Sequence, residues 1–305
     1  MVDNNRDAKV EQAREALRAG LAALTTGDDW VAMLQGIATN ARQRLSPMRY
    51  SFSNQVVVAG SARARQVDGT AVGTYNAWAQ VGRTVKRGER AVYILAPRPF
   101  VREVVTSNGD SEQRGGVFFR AMPVFLLGQT EGAELPAAPK LPKPVSIDDV
   151  PGFDEHLTKL RDVALAIAGE PVSTFEIRKS DAGDSSGALG WYSPSKRSIV
   201  VIDSGNQAQM FKTAVHEVAH SLMHATVHHS YAWQEVEAES VAFVVANVFG
   251  LDTSGYSFPY VASWAASDKT ERDALKIVNK SGDRIVRAVN TILDALLEES
   301  AHVAE

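Results

Sequence analysis

Residues 214–224 read Ala-Val-His-Glu-Val-Ala-His-Ser-Leu-Met-His, and this stretch decides how the second half of the chain is read. His216 and His220 stand four residues apart, with Glu217 beside the first. On an α-helix, positions i and i+4 lie one above the other, so both imidazoles can reach one metal ion. Phe211, Val215, Val218 and Leu222 supply an apolar stripe for such a helix and leave the two histidines on the opposite side, where they can line a cleft. Zinc favours nitrogen ligands, and three protein ligands with a further position left open is its catalytic arrangement. Zn2+ is therefore the expected cofactor.

A third ligand is expected from the next helical segment, Gln234–Phe249. There Glu235 and Glu239 share a side with Ala238, Ala242 and Ala246. Small alanines permit the close helix approach that a carboxylate needs to reach the metal. Glu235 is the preferred ligand, with Glu239 accepting a hydrogen bond from a ligand imidazole; Glu239 as the ligand is the alternative. Glu237 reads as a solvated charge.

Glu217 is next to a ligand but aimed elsewhere. Its expected role is that of a general base, taking a proton from water and passing it to a leaving amine. Candidate donors to the developing oxyanion are His224, one turn beyond His220, and Tyr256 or Tyr260. His224 otherwise reads as an outer partner of a ligand or a packing residue, and His228 and His229 as loop residues. Upstream, Gly187–Asp203 alternates about a Ser-Pro-Ser turn and predicts a β-hairpin. Its edge could hold an extended peptide by strand addition.

Working outward, 305 residues suffice for two domains. Four prolines within Pro136–Pro144 exclude a helix or a central strand and mark a linker. The expected division is a domain over 1–131, a Pro-rich linker over 132–146 and a domain over 147–305. In the first, helices are predicted over Val10–Ala23, Trp30–Arg44 and Asn54–Ala62 (capped by Ser53), and after Thr74. Strands are predicted over Ala91–Leu95, Phe100–Val105 and Val117–Leu127, with an exposed loop over 106–116. In the second, a helix (Phe153–Ala168), a strand (Thr174–Arg178) and the hairpin precede helices over Gln207–Thr226, Gln234–Phe249 and about Thr270–Glu298. The fold class is α+β, with mixed helices and antiparallel strands in the first domain.

The absence of cysteine excludes disulfides and thiolate metal sites. There is no run of eighteen or more apolar residues and no apolar leader, so the expected setting is the cytoplasm, away from membranes. The net charge of -4 conceals an asymmetry. Residues 1–130 carry 17 Lys and Arg against 11 Asp and Glu, and residues 131–305 carry 15 against 25. Arg42, Arg44, Arg49, Arg63, Arg65, Arg83, Lys86, Arg87 and Arg90 are interleaved with Tyr50, Phe52, Tyr75, Trp78 and Tyr93. Cations that follow a backbone and rings for bases to stack on suit single-stranded nucleic acid. A solvated basic face over a core containing aromatics is the competing reading.

Three pieces of the first half, RYSFSNQVVV (49–58), GTYNAWAQVGRTVKRGERAVYIL (73–95) and PVFLLGQTEG (123–132), resemble the single-stranded-DNA-binding domain of the ArdC antirestriction proteins and related LtrC-like plasmid proteins. In the second half, GWYSPSKRSIVV (190–201), HEVAHSLMH (216–224), EVEAESVAF (235–243) and YVASWA (260–265) resemble the ArdC metallopeptidase domain and the broader ImmA/IrrE group. The resemblance implies a mobile-element protein that binds DNA, single strands in particular and duplex as a further partner, and protects incoming DNA from restriction. It also implies a zincin-like second domain with His216, His220 and a Glu of EVEAE as ligands. It places Asn54, Tyr75, Trp78, Lys86 and Arg87 in the DNA-binding region, though not each as a contact. Arg49, Arg63, Arg65 and Arg83 join them as candidate DNA-binding residues. The alternatives are an ImmA/IrrE-like protease that cleaves a repressor or regulator protein, and a non-catalytic domain that zinc merely stabilises.

Overall fold

The structure, a computed structural model, describes residues 2–24, 26–41, 45–105, 111–135, 149–167, 171–179, 188–225, 231–251 and 271–297. The chain forms two compact units, Met1–Ala23 with Gln43–Ala137, and Leu24–Arg42 with Ala138–Glu305. The single division expected at 132–146 thus leaves out two further crossings, because residues 24–42 belong to the second unit.

The chain opens with α1 (Val2–Ala22) and α2 (Gly27–Asn40). Thr26 caps α2 in a capping box with Asp29, which satisfies amides that a helix start leaves open. In the first unit, α1 is followed by α3 (Phe52–Arg65), β1 (Val72–Gly73), α4 (Tyr75–Gln80), β2 (Arg83–Val85), β3 (Val92–Val105), β4 (Ser111–Leu126) and β5 (Thr130–Gly132). Ser51 rather than Ser53 caps α3, since the helix starts two residues earlier than expected. The core joins Val57 and Val58 of α3 to Val72, Val92, Ile94, Val124 and Leu126, with Ala16 and Leu17 of α1 packed against it.

The sheet order is β1-β4-β3, antiparallel throughout. Strand β3 spans both strands expected before the loop, and it pairs with β4 from Val92↔Val124 to Val105↔Ser111. Residues 111–116, expected in a loop, are therefore strand. The Asn54 amide donates to Leu95 O and accepts from Leu95 N, both at 2.9 Å, so Leu95 turns its backbone away from β4. Pro97 and Pro99 share that parity. Their missing N–H groups fall on the outer edge of β3, where no ladder bond is lost.

Smaller ties close this unit. Lys86–Glu89 forms a turn with Gly88 at φ 91, a value that favours glycine. Buried Gln129 clasps that turn: its Nε2 donates to Glu89 Oε2 (2.8 Å) and Arg90 O (2.9 Å), and its Oε1 accepts from Leu126 N.

The second unit holds α2, α5 (Phe153–Leu165), β6 (Thr174–Lys179), β7 (Gly190–Ser193), β8 (Ser198–Asp203), α6 (Gln207–His224), α7 (Tyr231–Val248) and α8 (Glu271–Leu297). Its sheet order is β6-β8-β7, with β6 parallel and β7 antiparallel to the central β8. Ile199–Ile202 of β8 are all buried, as befits a middle strand covered on both faces. Helix α7 is buried on all sides over Val241–Ala246, which makes it the hub of the unit. Helix α2 docks on it through Trp30, whose indole donates to Ser240 Oγ at 3.0 Å. No helix among the described residues is long and apolar enough to cross a membrane.

Candidate metal centre

Helices α6 and α7 face each other across three side chains. His216 Nε2 and His220 Nε2 are 3.0 Å apart, His220 Nε2 lies 3.2 Å from Glu235 Oε1, and His216 Nε2 lies 3.5 Å from Glu235 Oε2. Ligands held on one zinc ion by bonds of about 2.0–2.1 Å in a tetrahedron stand about 3.3 Å from one another, so this triangle has the edges of such a site. Among the described residues, these three form the group that could hold a divalent metal ion.

The outer partners decide what the two nitrogens present. His216 Nδ1 lies 3.0 Å from Glu239 Oε2, so Nδ1 carries the proton and Nε2 keeps its lone pair. His220 Nδ1 lies 2.9 Å from His224 Nδ1, and His224 Nε2 lies 2.9 Å from Glu237 Oε2. With Glu237 as the final acceptor, each imidazole of this relay donates onward, and His220 Nε2 is also left with a lone pair. Two lone pairs and a carboxylate then converge on one point, an arrangement that only a cation relieves. Without a metal, a proton serves. Burial opposes charge on His216, but its bonds to Glu235 and Glu239 prevail and lift it to about 9. Bonds from His216 and His220 hold Glu235 far below the usual carboxylate range, whereas burial lowers His220.

Glu217 points elsewhere. Burial, reinforced by the charge of Glu235, raises its carboxyl to about 7, while the backbone of Tyr192 in β7 hydrogen-bonds it. Gly190 makes that approach of β7 to α6 feasible. A Cβ there would stand 2.6 Å from Thr213 Cγ2 and 2.8 Å from Val200 O. Strand β7, at the end of its sheet among the described residues, thus runs beside Glu217.

The surroundings differ from expectation in three ways. The histidine side of α6 does not simply line a cleft; Glu217, His220 and His224 are buried. Glu237 is not a solvated charge but 0% exposed, bonded by His224, by the indole of Trp233 (2.8 Å), by Ser281 and by two guanidinium nitrogens of Arg284. Burial would raise its carboxyl, yet those donors hold it down at about 2. Tyr231, overlooked in the sequence, has a phenol hydrogen-bonded to Glu235, and the charge of that carboxylate raises its pKa. Tyr256, Tyr260, His228 and His229 lie outside the described residues.

In the first unit, the candidate DNA residues separate into scaffold and surface. Asn54 is buried on Leu95, and Trp78 is 0% exposed with its indole donating to Phe125 O, so neither is available to a ligand. The Arg83 guanidinium donates to Thr130, Gly132 and Ala133, Arg65 to the carbonyls of Arg90 and Ala91, and Lys86 Nζ to Gly128 O, with Arg65 and Lys86 themselves exposed. Arg49, Arg63 and Arg87 are exposed, and Tyr75 is 59% exposed. Arg42 and Arg44 lie outside the described residues.

These features are those of a two-unit α+β protein with a candidate metal centre in one unit and a basic, sheet-containing other. Residues 11–125 match the family described as the N-terminal domain of anti-restriction factor ArdC, so the chain is ArdC-like through this domain. A protein of Bacillus anthracis described as uncharacterized is 29% identical over 98 residues, a match spanning 31% of this chain and 16% of that protein's length. The metal-free crystal structure of the antirestriction protein ArdC from plasmid R388 aligns at 18% identity and a TM-score of 0.46, over 81% of this chain and 85% of that one. Its Mn(II)-bound structure aligns at 18% identity and 0.47, over 87% and 97%.

Proposed function

We propose that this chain is a DNA-binding antirestriction factor of the ArdC type whose second unit is a zinc-dependent, peptidase-like centre. The observation that carries the metal half is the convergence of His216 Nε2, His220 Nε2 and Glu235 within 3.0–3.5 Å of one another, with Glu239 and His224 behind the two imidazoles. A zinc ion, when bound, supplies Lewis acidity that polarises a carbonyl and acidifies water. Glu217, beside the ligands but not among them, takes the proton and returns it to the leaving amine. Tyr231, at the start of α7, donates to the oxygen that gains charge. An extended peptide lies alongside β7 and brings its carbonyl to that point. The DNA half rests on the family match over 11–125 and on the basic balance of residues 1–130. Its partner is single-stranded DNA, held by phosphate contacts and base stacking.

Metal analysis of the purified protein, with oligonucleotide titrations at two salt concentrations, tests both halves. One zinc per chain and salt-sensitive binding of single strands are expected. A chain free of metal after zinc loading, or one indifferent to DNA, removes the corresponding half. Comparing Glu217→Gln with His216→Ala separates catalysis from mere stabilisation. If the peptidase reading holds, Glu217→Gln keeps the metal and loses peptide hydrolysis.

A further inference from the structure

Beyond Ala96 the described residues of the β3–β4 hairpin are largely exposed, yet they are far from polar. Two residues apart along each strand, the face that buries Val92, Ile94 and Val124 continues outward as Ala96↔Arg120, Arg98↔Phe118 and Phe100↔Gly116. Apolar core therefore gives way, on one continuous face, to alternating arginine and phenylalanine. Phe100 is 38% exposed and Phe118 41% exposed, and Arg98 and Arg120 are exposed as well. No Asp or Glu stands between Arg90 and Val101 or between Gly115 and Leu126.

The rings are held in place. A Cβ on Gly116 would lie 2.7 Å from the Phe100 ring, so glycine there lets that ring lie flat across the neighbouring strand. Its centroid is 6.1 Å from that of Phe118, with the two planes tilted by 44°. A large ring left in water and fixed against a sheet offers a stacking surface that loses little entropy on binding.

We infer that this outer face of the hairpin, with Phe100 and Phe118 as stacking platforms and Arg98 and Arg120 as phosphate clamps, is the contact surface for single-stranded DNA. The inference rests on the DNA-binding reading above and adds this face to the candidates named from sequence, of which Asn54 and Trp78 are buried in the scaffold. Charge selects the occupant: a face with two arginines between its rings and no Asp or Glu within 90–101 or 115–126 complements a polyanion with exposed bases, whereas a docked protein would have to bring its own acids.

The test is an oligo(dT) titration of the full chain at several salt concentrations, followed by fluorescence anisotropy. Variants are Phe100→Leu with Phe118→Leu, Arg98→Gln with Arg120→Gln, and Phe118→Trp. Each lost stacking ring is expected to weaken binding about tenfold at fixed salt. The arginine pair should lower the slope of log affinity against log salt by about 0.7 per lost phosphate contact. Phe118→Trp should preserve binding and add an indole signal that DNA quenches, a readout that a merely misfolded hairpin would not give. Full affinity in the leucine pair, an unchanged slope in the glutamine pair and no quenching of the added indole in Phe118→Trp overturn the inference while leaving DNA binding intact. Failure of the unsubstituted chain to bind single strands at low salt overturns the DNA-binding reading and this surface with it.

Discussion

His224 Nε2 lies 2.9 Å from Glu237 Oε2, and this bond ties the candidate metal ligand His220 to a buried cluster on α8. Glu237 accepts there from Ser281 and Arg284 as well. Removing one member of a buried charge pair strands the other, at a cost of about 3–5 kcal/mol. Glu237→Ala should therefore lower the stability of the metal-free protein by that order in chemical denaturation. Glu237→Gln should weaken zinc binding by about 10–100-fold, because the charged acceptor of His224, through which the tautomer of His220 is set, becomes a neutral amide. Zinc affinity identical to that of the unsubstituted chain would argue that the relay serves packing alone.

Metal uptake should depend on pH. In the metal-free protein His216 is raised to about 9, so below that pH a proton occupies the position a metal would take. Binding then releases a proton, and apparent affinity falls as pH drops. Calorimetry in buffers of different ionisation enthalpy measures the release directly. An affinity that is flat from about pH 6 to about 9 contradicts this account.

Glu217→Gln and Tyr231→Phe should both retain metal, since neither side chain belongs to the triangle. On the proposed peptidase reading, loss of Glu217 slows peptide hydrolysis by about 10²–10⁴-fold. Loss of the phenol should lower kcat more than it raises KM, as expected of a donor to the transition state.

Trp78→Ala should act on folding rather than on DNA. A buried Trp→Ala change costs about 3–5 kcal/mol, and Asn54→Ala leaves Leu95 without its edge partner. Thermal denaturation should register both, while the remaining folded fraction binds oligonucleotide normally. A selective loss of affinity at unchanged stability would return these residues to the contact list.

Gly190→Ala probes the seam between β7 and α6. With Thr213 and a carbonyl inside 3.0 Å of the new methyl, the strand must shift, at about 1–3 kcal/mol. The shift would also move Tyr192 off Glu217, so hydrolysis should fall further than the stability loss explains.

The histidine pair and the helices around it were legible because helical periodicity and capping residues are local signals. Glu237 was not. EVEAE offers three identical acids, and the partners that bury the middle one, Ser281 and Arg284, lie 44 and 47 residues away on α8. The outer hairpin was read short because residues 106–116 are polar and contain Asn-Gly, and because Pro97 and Pro99 stand between the two runs expected as strands. Strand parity, invisible without the fold, puts both prolines on the side that needs no ladder bond. Asn54 and Trp78 show a related limit: residue type says what a side chain can bind, not whether the chain's own backbone already bonds it.

Helix α2 carries a consequence for synthesis. Trp30 is emitted 210 residues before Ser240, its partner on α7. At about 5–20 residues per second that is a wait of about 10–40 s during which Trp30, Leu34 and Ile37 have nothing to cover them. The interval suits capture by a holdase chaperone. A fragment cut at residue 137 would never leave that state, and it should aggregate or bind a hydrophobic dye unless the α2 stripe is made polar.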